Sequence, residues 1–239
     1  MEQKQKNDSN ENDISQSPPP GRRFMGHLKV CGNTLPEQVS AFDEMGVTLA
    51  GFIFYPKSPR YMGQKIAAEK MKQIKGKIVK VGVFVNPTYD ELKKTVDEYR
   101  LDMVQLHGDE TPKFCEKIAD YISVIKAFRL SENDSLEWMT NPFMEVCDFF
   151  MFDTLGVGYG GTGKKFDWTV LEKAPPKKPY FLSGGIEPGD EEELMKFVTT
   201  VAGEKLFAVD INSRFEISPG VKDVRKVKEF ATKIGITKT

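Results

Sequence analysis

The chain has 239 residues, with 34 Lys and Arg against 35 Asp and Glu and a formal net charge of −1. That length suits one sizeable domain, and the charge balance excludes a general polyanion binder such as a nonspecific DNA protein while leaving room for a local phosphate site. Three scattered cysteines and two histidines, with neither a CxxC nor an HExxH, exclude a disulfide scaffold and the common zinc patterns.

Residues 1–22 carry only Met1 and Ile14 as apolar side chains besides the run Pro18–Pro20. Such a stretch cannot offset its ordering entropy by burial, so we read it as a disordered leader preceding a single domain over 23–239. It lacks the continuous apolar stretch of a signal peptide, and no apolar run of 18 residues follows anywhere; a cytoplasmic protein that does not enter the membrane is expected. Deleting residues 1–22 should leave melting temperature and activity nearly unchanged. A loss of several degrees on truncation would mean that the leader packs on the domain.

From residue 28 onward, apolar runs of strand length recur: Leu28–Cys31, Leu49–Tyr55, Val79–Val85, Met103–Leu106, Ile122–Phe128, Phe149–Phe152, Tyr180–Leu182 and Leu206–Ile211. Eight runs leave about 26 residues per unit, near the ~30 of a strand plus crossover helix. Val83-Phe84-Val85 and Phe149-Phe150-Met151-Phe152 are apolar on successive positions, as strands buried on both faces of a parallel sheet must be. Helical periodicity fills the gaps. Val39, Phe42 and Met45 repeat at three; Ile66, Met71 and Ile74 share a face; Val221, Val224, Val227, Phe230 and Ile234 form a long stripe. Asn86-Pro87-Thr88 breaks the chain after the third strand, and Thr111-Pro112 supplies a cap and an early proline for the next helix. Residues 129–147 hold one or two helical turns around Leu136, Trp138 and Met139. Eight βα units without a long linker predict an α/β fold of the closed (β/α)8 barrel type, with an open doubly wound sheet as the competing fold.

In a barrel of this kind chemistry sits at the C-terminal ends of the strands. Those ends read Lys29-Val30-Cys31-Gly32-Asn33, Gln105-Leu106-His107-Gly108-Asp109, Lys126-Ala127-Phe128-Arg129, Asp153-Thr154 before a glycine-rich stretch, Ser183-Gly184-Gly185 and Asp210-Ile211-Asn212-Ser213. Polar and glycine residues gather at one end of nearly every strand, which a purely structural protein has no need of.

These segments, with GFIFYPKSPR at 51–60, VGVFVN at 81–86, VQLHGDE at 104–110, FDTLGVGYGGTGKKFDW at 152–168, LSGGI at 182–186 and VDINSRFEISPGVKD at 209–223, resemble the phosphoribosylanthranilate isomerase family of tryptophan biosynthesis. The matches run in order over about 200 residues, and the combined set is far more specific than one GGTG. The resemblance implies an Amadori rearrangement of a phosphosugar–anthranilate substrate to 1-(2-carboxyphenylamino)-1-deoxyribulose 5-phosphate, requiring an acid at the ring oxygen and a base at C2. It implies no cofactor, because the protonated imine formed on ring opening is itself the electron sink.

The resemblance assigns Cys31 as general base and Asp153 as general acid. A thiol has a reference pKa near 8.5, which a nearby cation such as Lys29 brings towards use as a base; the apolar wall before Asp153 favours a protonated carboxyl. Arg60 resembles the family arginine that holds the anthranilate carboxylate, a group its planar fork of donors suits. Gly184 and Gly185 should give backbone amides to the phosphate, with Ser213 and Arg214 beside them. The family commonly has Ser-Gly where this chain has Ser213-Arg214, so Arg214 is either an added phosphate contact or a solvent-facing side chain. Gly160, Gly161 and Gly163 should either keep their loop low over the substrate or form only a flexible lid. Asp210 and His107 match family positions without an assigned proton transfer, and Cys115 and Cys147 read as buried small hydrophobes. A related phosphate-binding barrel that uses an aspartate pair at strands one and five fits Cys31 and Lys126 poorly. A noncatalytic phosphosugar binder would have no use for a Cys31–Asp153 pair. The expected partner is the small-molecule substrate alone, with no nucleic acid, and a monomer is expected rather than a dimer.

Overall fold

Strands buried on both faces need helices outside and a packed interior, and the chain meets that need by closing on itself. The computed structural model describes residues 24–63, 67–74, 76–131, 134–154 and 167–236; the leader, Ile66 and the glycine stretch Gly156–Gly163 lie outside them. Eight strands, β1 (His27–Val30), β2 (Leu49–Ile53), β3 (Val79–Phe84), β4 (Met103–Leu106), β5 (Ser123–Leu130), β6 (Phe149–Thr154), β7 (Tyr180–Leu182) and β8 (Leu206–Ile211), form a closed parallel barrel in sequential order. Closure is set by β1, whose Lys29 is in register with Leu49 of β2 on one side and Asp210 of β8 on the other. The outer helices among the described residues are α1 (Pro36–Glu44), α2 (Ala68–Lys72), α3 (Tyr89–Tyr99), α4 (Pro112–Ala119), α5 (Leu136–Thr140), α6 (Thr169–Lys173), α7 (Glu191–Phe197) and α8 (Val224–Lys233). The fold is a (β/α)8 barrel.

Local chemistry fixes several boundaries. Thr88 caps α3 in a reciprocal capping box with Glu91, and Thr111 caps α4 ahead of Pro112. The stripe beginning at Val221 is shorter than its spacing suggests. Val221 lies in a two-residue strand, β10 (Val221–Lys222), which pairs antiparallel with β9 (Glu216–Ser218), and the helix starts at Val224. Pro219 and Gly220 cause the difference: Gly220 has φ +89, a value that suits a turn and not a helix.

Because strand side chains alternate, each strand divides its residues between two cores. Leu49, Val81, Met103, Ile125, Ala127, Met151, Phe181 and Ala208 fill the barrel interior. Their neighbours, among them Val30, Phe52, Val104, Val124, Phe150, Phe152 and Val209, face the helices. Continuing the inward set one or two positions towards the strand ends gives Lys29, Cys31, Gly51, Gln105, His107, Asp153, Ser183 and Asp210. The apolar plug therefore stops below a polar mouth, and sequence parity decides which residues enter it.

Candidate active site at the C-terminal mouth

Lys29 is fully buried, and its Nζ lies 2.8 Å from Asp210 Oδ1. Across such a short gap in a dry interior each charge supports the other, and Lys29 is held above the ordinary lysine range despite its burial. Two residues on, Cys31 is also buried. Its sulfur packs on Gly51 so tightly that a Cβ there would sit 2.7 Å from Sγ. Burial pushes the Cys31 thiol up; Lys29 and Lys222 pull it back, and Asp210 adds to the rise. The expected help from Lys29 is present, but desolvation outweighs it. Burial also pushes the Asp210 carboxyl up, with Lys29 opposing and Asp153 adding to the shift.

Asp153, next to last in β6, has the same inward parity. Its Oδ1 accepts the Thr154 amide at 2.8 Å, and its Oδ2 lies 3.3 Å from His107 Nε2, a contact whose angle falls short of a hydrogen bond. Gln105 Nε2 lies 2.9 Å from His107 Nδ1. With the amide in that orientation Nδ1 is the acceptor, and the ring proton sits on Nε2, facing Asp153. Asp210 links the halves of the site. It holds Lys29 beside Cys31, feels the charges of Asp153 and His107, and accepts a 3.3 Å hydrogen bond from Ser183 Oγ.

Arg60, in the loop after β2, is anchored rather than free. Its Nε donates to Glu216 Oε1 and Oε2 at 2.8 and 3.0 Å, and its Nη2 to Oε2 at 2.7 Å. Glu216 also accepts from Lys222 Nζ at 2.7 Å, and Lys222 reaches Asn212 Oδ1 at 2.7 Å. Burial opposes ionisation of Glu216, yet Arg60 and Lys222 together hold its carboxyl below the usual range. A Cβ on Gly32 would lie 2.7 Å from both Arg60 Cδ and Asn212 Oδ1, so this cluster stands directly beside Cys31. Glu216 and Lys222 escaped the sequence reading. The available signal was an acid between apolar Phe215 and Ile217 in a segment already picked out for its pattern.

Gly184 and Gly185 follow β7 with φ +95 and +74, a left-handed pair that glycine adopts without strain. Ser213 and Arg214 lie in a single 3-10 turn, Ser213–Phe215, after β8. Arg214 Nε is 3.4 Å from Glu187 Oε2, and both side chains are nearly half exposed. Arg214 thus bridges the loops after β7 and β8 instead of entering the barrel. Lys126 is not in the mouth; it has the parity of Val124 and Phe128 and lies outside the barrel. Cys115 and Cys147 are buried, on α4 and just before β6. Among the described residues, no cluster of three or more His, Cys, Asp or Glu is arranged to hold a metal ion, and no helix is long and apolar enough to cross a membrane.

The family model of N-(5'-phosphoribosyl)anthranilate (PRA) isomerase matches residues 28–233. The N-(5'-phosphoribosyl)anthranilate isomerase of Phocaeicola vulgatus is 36% identical over 208 residues, 87% of this chain and 97% of the relative. The crystal structure of phosphoribosyl anthranilate isomerase from Thermotoga maritima superposes with a TM-score of 0.75 at 34% identity, covering 88% of this chain and 98% of that one. A phosphoribosyl anthranilate isomerase solved in complex with reduced 1-(o-carboxyphenylamino)-1-deoxyribulose 5-phosphate gives a TM-score of 0.72 at 32% identity, with the same coverage. With nearly the full length of these proteins matched in sequence and in fold, the chain belongs to the phosphoribosylanthranilate isomerase family.

Proposed function

We propose that Cys31 and Asp153 are the base and acid by which this isomerase converts N-(5-phosphoribosyl)anthranilate to 1-(2-carboxyphenylamino)-1-deoxyribulose 5-phosphate. The observation that carries the assignment is parity: both residues continue the inward set of their strands, above the apolar plug and on either side of Asp210. Asp153 gives its proton to the ring oxygen as the C1–O bond breaks, leaving a protonated imine. Cys31, as thiolate, removes the C2 proton. The electron pair forms the C1=C2 bond and neutralises the nitrogen, and the resulting enol becomes the ketone by losing its hydroxyl proton and gaining one at C1. His107 stands beside the Asp153 carboxyl, its Nε2 3.3 Å from Oδ2. Lys29 and Lys222 favour the thiolate at the moment it is needed. Loss of anthranilate-adduct fluorescence on addition of purified protein tests the reaction directly; no loss at micromolar enzyme would refute it.

Arg60 receives the anthranilate carboxylate, and the amides after β7 and the turn at Ser213 receive the phosphate, with Arg214 turning from Glu187 to the phosphate as substrate binds. Gly185→Ala should weaken both substrate and inorganic phosphate binding by roughly tenfold, since the methyl group obstructs the oxyanion and φ +74 strains any non-glycine residue there. Unchanged phosphate affinity by titration would refute the placement. Every group in this scheme comes from one barrel, so the scheme itself needs no second subunit; sedimentation of the purified chain tests the expected monomer.

A further inference from the structure

We infer that Glu216, on the β9–β10 hairpin, is the positioning residue that aims Arg60 at an aromatic carboxylate and so makes the site selective for a carboxylated arylamine. The inference rests on the reading of Arg60 as the carboxylate ligand. An arginine on a loop has many rotamers, and fixing one of them before substrate arrives lowers the cost of binding. Glu216 does this along a single edge of the guanidinium, taking Nε and Nη2 in three contacts of 2.7 to 3.0 Å. The edge bearing Nη1 is left for a second carboxylate. The Arg60 amide is itself tied to Ser58 Oγ at 3.1 Å, so the backbone below the side chain is fixed too.

The pair differs from an ordinary surface salt bridge, which contributes little. The Arg60 and Glu216 side chains are 12% and 5% exposed, and Glu216 is held in turn by Lys222 Nζ at 2.7 Å and the Gly220 amide at 3.1 Å. The carboxylate therefore has little freedom to follow a moving arginine. Charge argues the same way. Arg60 and Lys222, whose pKa burial lowers and Glu216 supports, bring two positive charges against the one negative charge of Glu216, so with Lys222 protonated the cluster keeps an excess positive charge beside Gly32 and Cys31. A second anion completes it, and an uncharged ring does not.

The test compares two ligands: reduced 1-(o-carboxyphenylamino)-1-deoxyribulose 5-phosphate and its counterpart lacking the ring carboxyl. Glu216→Gln preserves shape but removes the charge that aligns Arg60. It should weaken the carboxylated ligand by roughly tenfold or more, leave the uncarboxylated one within about twofold, and raise KM more than it lowers kcat. Glu216→Asp, which keeps the charge on a shorter stem, should restore part of the discrimination. Equal loss for both ligands, or no loss for either, would overturn the inference. Arg60→Gln separates the two readings. If it fails to abolish discrimination, Arg60 is not the carboxylate ligand; if it abolishes discrimination while Glu216→Gln does not, only the positioning role falls. Should Glu216→Gln unfold because Lys222 loses its anion, Glu216→Gln/Lys222→Met removes both charges, and the same ratio of affinities decides.

Discussion

Cys31→Ser and Asp153→Asn should each cut turnover by roughly 10²-fold or more, the range that general acid–base catalysis supplies, while affinity for a nonreactive product analogue stays within a few fold. That division marks groups whose contribution is made in the transition state. Serine keeps the size of Cys31 but is a far poorer base; asparagine keeps the shape of Asp153 but has no such proton to give. The pH profile adds a signature. Burial holds the Cys31 thiol above its ordinary range against the pull of Lys29 and Lys222, so the reactive thiolate is the minor form at neutral pH. The base-dependent limb of kcat/KM should therefore keep rising with pH beyond the usual thiol range near 8.5, and Cys31→Ser should abolish that limb. Near-normal turnover in Cys31→Ser would defeat the base assignment and leave Lys29, two residues before it on the same inward parity, as a candidate. Loss of analogue binding as severe as the loss of turnover in Asp153→Asn would make Asp153 an organiser of the pocket and not the acid.

The parts of this site that sequence can carry are those set by local alternation. Cys31 follows Lys29 by two, and Asp153 follows Met151 by two, so both enter the mouth as soon as the barrel is granted. The apolar runs Met103–Leu106, Tyr180–Leu182 and Leu206–Ile211 coincide with β4, β7 and β8 for the same reason, since burial on both faces keeps them apolar except where Gln105 and Asp210 turn into the mouth. Where polar residues are paired instead, the run misleads. β5 extends past Phe128 to Leu130 because Arg129 and Leu130 are in register with Asp153 and Thr154. β2 stops at Ile53, short of the apolar run, because the chain turns at Pro56-Lys57-Ser58. The Arg60–Glu216 pair is less accessible still. Its members stand 156 residues apart, and only closure of β8 onto β1 brings the hairpin after β8 to the loop after β2. No periodicity encodes that contact. The approach of His107 to Asp153 likewise depends on how the loops at the mouth are held, since β5 lies between β4, which precedes His107, and β6, which carries Asp153.

Lys126 holds one of those loops, and removing its charge should be among the costliest single changes in the chain. Its Nζ lies outside the barrel, 2.8 Å from Gly108 O, 2.9 Å from Glu110 Oε2, 3.2 Å from Ala127 O and 3.3 Å from Leu106 O. Glu110 in turn accepts from the amides of Asn86 at 2.8 Å and Gly108 at 3.0 Å. The two side chains are 4% and 2% exposed. Lys126→Met keeps most of the stem's volume but strands a buried carboxylate and uncaps two carbonyls of the segment that carries His107. Breaking a buried pair from one side costs about 3–5 kcal/mol, which urea unfolding should read as a lower midpoint at unchanged slope. Lys126→Met/Glu110→Gln leaves no buried charge and should recover most of that loss, because the two sites share one interaction and their effects do not add. A loss below about 1 kcal/mol in the single variant, the range of an exposed pair, would mean that the pair is a bystander. The double variant also decides a chemical point. With the fold restored and the loop still tied through Asn86, turnover should stay within roughly tenfold of the parent, whereas loss of a general base costs roughly 10²-fold or more. A well-folded but inactive double variant would return Lys126 to the list of candidate bases, against the outward parity that β5 gives it.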